Sequence, residues 1–169
     1  MDEILRVNDF FCGAGGMGLG FHQANFRLAG AWDFDKWAIQ SYTENISPKA
    51  KNLDVTEMTA SEVPYADVWA FGFPCQDVSY SGRRKGMIKG ETRSGLFFEI
   101  MRLLEEVKDK PRVIIAENVK GITPYLDTIR EEYAKQGYKL YYTLYNTKYW
   151  FLPQNRERYF MVGVHQSID

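Results

Sequence analysis

The sequence predicts an α/β domain in which a mostly parallel sheet of about seven strands carries helices on both faces. Short apolar runs alternate with amphipathic stretches along the chain, which is the pattern of repeated strand–helix units. A glycine-rich segment follows the first apolar run, and polar residues cluster where several later runs end. Because such sheets bind ligands at the carboxyl ends of their strands, this clustering predicts a site at one edge of the sheet.

Each element is assigned from apolar periodicity and from residues that begin or end helices. The predicted strands cover residues 4–11, 28–34, 51–55, 67–73, 112–118, 138–145 and 158–164. The predicted helices cover residues 17–28, 36–45, 96–107 and 124–136. In the last helix Pro124 fits the first turn, and Gly137 just beyond the end is a C-cap signal.

Composition excludes several classes of protein. The 169 residues suffice for one domain, and no apolar run is long enough for a transmembrane helix. Two cysteines 63 positions apart predict no disulfide framework and favour a reducing, cytoplasmic setting. Two histidines and no CxxC pair predict no metal site. The net charge of the chain is −1, yet residues 83 to 93 hold five positive side chains and one negative. This segment is either a solvated loop or a surface that binds phosphates.

The glycine-rich segment predicts a site for an adenosine-type ligand. Gly13, Gly15 and Gly18 have the spacing GxGxxG between the first strand and the first helix. Asp33 lies 20 residues after Gly13, at the end of the second strand, where an acid can accept hydrogen bonds from ribose hydroxyls. The motif alone fits a dinucleotide and S-adenosylmethionine equally well.

The second cysteine lies in the stretch FGFPCQDVS, where the fourth strand reaches the ligand edge. A lone cysteine is more often a small core side chain than a reactive group. Here Cys75 is followed by polar residues, and Glu117 of the stretch ENV ends the next strand. A thiolate beside a carboxyl acid is a chemically competent pair, and no histidine is placed as in a cysteine protease.

Together these segments resemble the DNA methyltransferases that modify carbon 5 of cytosine. DFFCGAGGMGLGF is similar to their first motif, GFPCQDVS to their catalytic motif, ENV to their glutamate motif and QNRERYFMVGV to their arginine motif. Order and spacing agree over nearly the whole chain. The resemblance implies a Rossmann-like S-adenosylmethionine-dependent methyltransferase fold whose last strand is antiparallel.

The resemblance also implies roles for individual residues. Cys75 would attack carbon 6 of the base, Glu117 would hold or protonate ring nitrogen 3, and Arg158 and Arg156 would contact the base and its surroundings. S-adenosylmethionine would be bound by Phe11, Gly13, Ala14, Gly15, Gly16, Asp33, Phe34, Asp54, Val55, Gly72, Pro74 and Leu96. Double-stranded DNA, with the target cytosine flipped out, would be contacted by Gln76, Ser79, Ser81, Arg83, Arg84, Lys85 and Arg93.

The family continues beyond its arginine motif into a target-recognition region and further motifs. We therefore expect residues 1–169 to be an incomplete catalytic domain, inactive alone, that works with a C-terminal recognition portion or with a second subunit that carries it. The resemblance further implies a bacterial restriction-modification or orphan methylase.

Three alternatives remain open. A nicotinamide-dependent oxidoreductase is supported only by the GxGxxG spacing. Its chemistry does not require the PCQ segment or the ENV segment that follows it. A non-catalytic subunit of a split methyltransferase would not need Cys75, Glu117 and Arg158 together. A methyltransferase that acts on transfer RNA shares much of the motif set and is the nearest enzymatic alternative.

Overall fold

The computed structural model describes residues 4–74 and 93–168. Within them the seven strands are Arg6–Phe10 (β1), Arg27–Asp33 (β2), Ala50–Asn52 (β3), Val68–Gly72 (β4), Val113–Val119 (β5), Tyr138–Asn146 (β6) and Glu157–His165 (β7). The α-helices are Gly16–Gln23 (α1), Lys36–Asn45 (α2), Phe97–Glu106 (α3) and Leu126–Lys135 (α4). Short 3₁₀ helices are Ala60–Glu62, Arg93–Leu96, Lys120–Tyr125 and Thr147–Trp150.

The strands form one sheet in the order β3-β2-β1-β4-β5-β7-β6. β7 pairs antiparallel with both of its neighbours, and the other pairings are parallel. The predicted fold class is therefore confirmed, including the antiparallel last strand. β1 lies between β2 and β4, so the chain leaves it in opposite directions, and such a switch point opens a crevice at the carboxyl ends of the strands.

The core has two layers, one on each face of the sheet. Successive side chains of a strand point to opposite faces, so in β4 Trp69 and Phe71 pack in one layer and Val68 and Ala70 in the other. α3 covers the first layer with a buried stripe of Phe97, Ile100, Met101, Leu103 and Leu104. Residues of α1 and α2 pack against the second layer, which confirms helices on both faces.

Several element boundaries differ from the prediction for local reasons. The first helix ends at Gln23 and not at residue 28, because Asn25 adopts a left-handed conformation (φ 63°) and the chain turns into β2. Pro124 lies in a 3₁₀ segment just before α4 and not in the first turn of α4 itself. Gly137 has φ 88° directly after α4, which confirms the C-cap signal.

The start of α2 matches the prediction, and its N-cap explains why. The Asp35 carboxylate accepts hydrogen bonds from the backbone N–H groups of Trp37 and Ala38 at 2.8 and 3.2 Å. None of the helices in residues 4–74 and 93–168 has the length and apolar character needed to cross a membrane.

Candidate active site

The carboxyl edge of the sheet gathers the predicted site residues that the structure describes. β1, β2, β4 and β5 are mutually parallel, so their ends lie at one edge. Phe11 follows β1, Asp33 ends β2, Pro74 follows β4 and Glu117 lies near the end of β5. Side chains separated by more than 80 positions in sequence thus face the same crevice.

The glycine turn between β1 and α1 is held by its own backbone and by Asp33. The Gly13 N–H donates to Asp33 Oδ2 at 2.9 Å, and the Gly15 N–H donates to the Cys12 carbonyl at 3.0 Å. Gly15 has φ 101°, and a Cβ there would lie 1.9 Å from Cδ1 of Ile46, beyond the C-terminal end of α2. Gly15 therefore allows close packing, whereas Gly13, Ala14 and Gly16 line an open cavity.

Asp33 connects two loops through its carboxylate. Its Oδ2 accepts from Gly13, and its Oδ1 accepts from the Asp35 N–H at 2.9 Å. Each carboxylate oxygen has a further lone pair, so ribose hydroxyls can still bind there. Asp54 is fixed in a similar way, because its Oδ1 accepts from the N–H and the hydroxyl of Thr56 at 2.9 and 2.8 Å.

A cavity of about 270 Å³ opens beside this turn. It is mainly apolar, with two carboxylates at its wall. Seven of its lining residues were predicted to bind the cofactor: Phe11, Asp33, Phe34, Asp54, Val55, Pro74 and Leu96. The other three lining residues, Phe10, Trp32 and Leu53, were not among those predicted. Phe34 is largely exposed, so its ring is free to cover a planar ligand.

A second cavity, of about 700 Å³, extends from the glycine turn to Glu117. Phe11 lines both cavities, which makes them neighbours. The predicted residues in this second cavity are Phe11, Gly13, Ala14, Gly16, Gly72, Glu117 and Arg156. Two adjoining cavities have room for two reacting molecules.

Glu117 forms a half-buried ion pair with Arg158. Glu117 Oε1 lies 2.8 Å from Arg158 Nε, and the two side chains are 22% and 20% exposed. Burial raises the pKa of Glu117 above its ordinary value, while the positive charges of Arg158 and Arg156 oppose that rise. Gly72 pairs with Glu117 across β4 and β5, and a Cβ there would be in ordinary contact with Glu117 Oε2 at 3.5 Å, so the Glu117 carboxylate lies directly beside Gly72.

The arginine motif, residues 154–164, supplies the positively charged side chains of the site. Arg158 pairs with Val119 across β5 and β7, two residue pairs from Glu117 and Phe160 and therefore on the same face of the sheet. Arg156 lies in the turn before β7, is exposed and lines the second cavity. Its carbonyl accepts a hydrogen bond from the Thr147 N–H at 3.1 Å, which ties this turn to the 3₁₀ helix that follows β6.

Asn118 is a buried polar residue whose role sequence reasoning missed. Its Nδ2 donates to the Phe73 carbonyl at 3.0 Å, so it ties the end of β5 to the chain that leaves β4. Its Oδ1 accepts from the Val119 N–H at 2.8 Å. The only signal in the sequence was a polar side chain within an apolar strand, which could not reveal the partner.

A second buried polar contact lies beneath the glycine turn. Tyr42 of α2 donates its hydroxyl to Asp9 Oδ2 of β1 at 3.1 Å, and the Gly18 backbone also hydrogen-bonds Asp9. Burial raises the pKa of Asp9 to about 7, and the same surroundings raise the pKa values of Tyr42 and Cys12. This contact joins β1, α1 and α2 where they carry the turn.

Part of the predicted site lies outside the described residues: Cys75, Gln76, Ser79, Ser81, Arg83, Arg84 and Lys85. Arg93 begins a 3₁₀ helix, and its side chain is not described. In the described part of the chain no group of three or more His, Cys, Asp or Glu side chains is arranged to hold a metal ion.

A seven-stranded sheet with an antiparallel last strand and a ligand cavity at its switch point is the fold of the S-adenosylmethionine-dependent methyltransferases. Within that class, the chain belongs to the C-5 cytosine-specific DNA methylase family, whose model matches residues 5–169. Membership confirms the predicted family and the predicted cofactor, S-adenosylmethionine.

Two curated relatives show how much of a longer protein the chain represents. It is 35% identical to the type II methyltransferase M.NlaX of Neisseria lactamica, over 98% of this chain and 54% of that protein. It is 37% identical to the type II methyltransferase M.Bsp6I of Bacillus sp. strain RFL6, over 95% of this chain and 52% of that protein. The chain thus spans about half the length of these relatives.

Solved structures agree with the fold. A putative DNA modification methyltransferase encoded within an E. coli prophage superposes with a TM-score of 0.79 at 27% identity, covering 97% of this chain and 47% of its own. The S. pombe Dnmt2 methyltransferase gives a TM-score of 0.79 at 25% identity, covering 95% of this chain and 51% of its own.

Proposed function

We propose that residues 1–169 are the catalytic domain of an enzyme that methylates carbon 5 of cytosine in DNA. The observation that carries this proposal is the Glu117–Arg158 pair, which faces a cavity next to the glycine turn in a chain of this family. An acid with a raised pKa beside a fixed guanidinium suits a base that must gain a proton at one ring atom.

The smaller cavity fits S-adenosylmethionine by its chemistry. Its mainly apolar wall and the exposed ring of Phe34 suit an adenine, and the carboxylates of Asp33 and Asp54 suit ribose hydroxyls and the adenine amino group. Gly13 and Gly16 would let the backbone approach the amino-acid end. When bound, S-adenosylmethionine supplies an electrophilic methyl group.

The protein's own groups would make carbon 5 nucleophilic. The Cys75 thiolate forms a bond to carbon 6, and the displaced electron pair moves into the ring while nitrogen 3 gains or shares the proton of Glu117. Carbon 5 then carries enamine electron density and would take the methyl group, while the electrons of the broken methyl–sulfur bond stay on the cofactor's sulfur. Transfer of the carbon 5 proton to solvent water, return of the nitrogen 3 proton to Glu117 and cleavage of the sulfur–carbon 6 bond would restore the aromatic ring and the free cysteine.

The target cytosine must leave the base stack of the DNA to reach this site, because its carbons 5 and 6 are shielded within a duplex. We assign phosphate contacts to Arg83, Arg84, Lys85 and Arg93, and contacts near the flipped base to Gln76, Ser79 and Ser81. Recognition of a particular sequence would come from a further portion or subunit, within a restriction-modification or orphan system in the cytoplasm.

The test uses the natural full-length protein, which includes any sequence beyond residues 1–169. Incubated with radiolabelled S-adenosylmethionine and mixed-sequence DNA, it should place label on carbon 5 of cytosine, and DNA containing 5-fluorocytosine should form a covalent complex. Cys75→Ser should abolish both results and leave cofactor binding largely intact. Labelling of total transfer RNA in place of DNA would favour the RNA enzyme, and near-normal turnover by the serine variant would overturn the mechanism.

A further inference from the structure

The turn between β6 and β7 presents an unusual apolar surface to solvent. We call residues 149–152 the aromatic tip; they are Tyr149, Trp150, Phe151 and Leu152, and all four are exposed. Phe151 is 102% exposed, so its ring makes no packing contribution to this domain. A single exposed apolar residue is ordinary, but four consecutive ones form a patch of the kind that marks an interaction surface.

The tip is held in place and is not a loosely attached loop. Asn146 Nδ2 donates to Asn155 Oδ1 at 2.7 Å, and the Gln154 N–H donates to the Leu152 carbonyl at 2.7 Å. Beside these contacts, the Trp150 ring packs edge-on against Tyr145 with centroids 5.7 Å apart. The tip is therefore preorganised, which lowers the entropy lost when it binds a partner.

Phe151 has an unfavourable backbone conformation. Its φ is 61°, in the left-handed region that bulky residues seldom occupy. A glycine would adopt this conformation without strain, and the phenylalanine ring gains no burial in return. Residues with strained backbones cluster at functional sites, so an exposed ring held in this way points to a contact outside the fold of this domain.

The tip lies beside the candidate active site. In the register of β6 and β7, Tyr145 is directly opposite Arg158, so both side chains share the face on which Arg158 meets Glu117. The tip is flanked in sequence by Lys148 and by Arg156, which lines the larger cavity. Flat rings between two cations match a partner that combines negative charge with planar groups, as an unstacked nucleic-acid strand does.

We propose that the aromatic tip stacks on a DNA base or sugar next to the cytosine that enters the Glu117 cavity, with Phe151 as the contacting ring. This proposal rests on the proposed function. Lys148 and Arg156 contact the phosphates on either side of that base or sugar. The rings and the two cations therefore act on one stretch of DNA, which accounts for their position next to each other and beside the site. Stacking there compensates for part of the base stacking lost when the cytosine leaves the duplex.

A photocrosslinking experiment tests the contact directly. The full-length protein is trapped on DNA in which cytosine is replaced by 5-fluorocytosine and thymine by 5-iodouracil, and the complex is irradiated and digested with trypsin. Trypsin cuts after Lys148 and Arg156, so the tip is released as the peptide YWFLPQNR. We expect DNA crosslinked to this peptide, and to Phe151 within it.

Variants supply the energetic test. Phe151→Gly removes the ring and fits the left-handed backbone, so it should keep or raise the thermal midpoint while it weakens DNA binding roughly 5- to 100-fold. Phe151→Tyr should restore binding, because the ring is retained. The control is Tyr65→Ala, which removes an aromatic ring that stacks on Arg6 before β4, at the opposite edge of the sheet.

The outcomes separate the two proposals. If no covalent complex forms with the wild-type protein, the proposed function fails. If the complex forms but the tip peptide carries no DNA and Phe151→Gly binds DNA like the wild type, the tip contacts something else, such as another part of the polypeptide, and this inference is wrong.

Discussion

Glu117 Oε1 and Arg158 Nε lie 2.8 Å apart at the ends of two antiparallel strands, β5 and β7. One possible role of such a pair is merely structural, as charge neutralisation at the edge of the sheet. Buried ion pairs, however, contribute little net stability to a fold. Here the carboxylate faces a cavity of about 700 Å³ and has a raised pKa. A functional role for Glu117 is therefore favoured. An acid that served only the stability of the fold would contribute more if its arginine partner lowered its pKa below the ordinary value.

Glu117→Gln should lower the methylation rate by about 100- to 10,000-fold, because an amide can hydrogen-bond ring nitrogen 3 but cannot give it a proton. Turnover under saturating cofactor and DNA is the measurement. Glu99→Gln is a matched control, since the Glu99 side chain is 20% exposed, close to the 22% of Glu117, and lies 2.8 Å from Arg102, outside both cavities. Equal rates in the two variants would assign Glu117 a structural role.

Phe34→Ala should weaken S-adenosylmethionine binding by roughly 5- to 100-fold through loss of stacking on the adenine. The free energy of unfolding should change by less than about 0.5 kcal/mol, because the ring is largely exposed. Cofactor affinity is measured by calorimetry on the full-length protein. Trp37→Ala, a comparably exposed ring on α2 that lines neither cavity, should leave the affinity unchanged.

Much of the fold and of the candidate site could be predicted because their signals are local. Each strand has its own apolar run, and the ends of parallel strands must share an edge, which brings Asp33, Pro74 and Glu117 together. Contacts between distant segments could not be predicted in this way. Nothing near Asn118 in sequence indicates the Phe73 carbonyl, and nothing near Asp9 indicates Tyr42.

Asn118→Ala should remove the hydrogen bond that holds the chain leaving β4, two residues before Cys75. A buried carbonyl left unsatisfied costs about 1–3 kcal/mol, so urea unfolding should show a loss of that size. We also expect kcat to fall while the affinity for S-adenosylmethionine stays constant, because Asn118 lines neither cavity. A weakened cofactor affinity with normal kcat would contradict this positioning role.

The last prediction concerns pH and the buried Asp9. Asp9 is 1% exposed, and its pKa is raised to about 7 by burial and by the charge of Asp33, while the Tyr42 hydroxyl and the Gly18 backbone oppose the rise. The native state therefore retains this proton between about pH 4 and pH 7, where the unfolded chain has lost it. Stability contributed by the protonated group is complete at low pH and decreases as pH rises through this window.

Asp9→Asn should remove this slope, because an amide of the same shape cannot release a proton. The variant and the wild type should have similar unfolding free energies near pH 4, whereas by pH 8 the variant should be more stable by up to roughly 4 kcal/mol. Urea unfolding at several pH values measures the difference, with Asp109→Asn as an exposed control. If the difference between wild type and Asp9→Asn is the same at pH 4 and pH 8, Asp9 is already ionised in the native state and the carboxylate is stabilised by Tyr42 and Gly18 more strongly than burial opposes it.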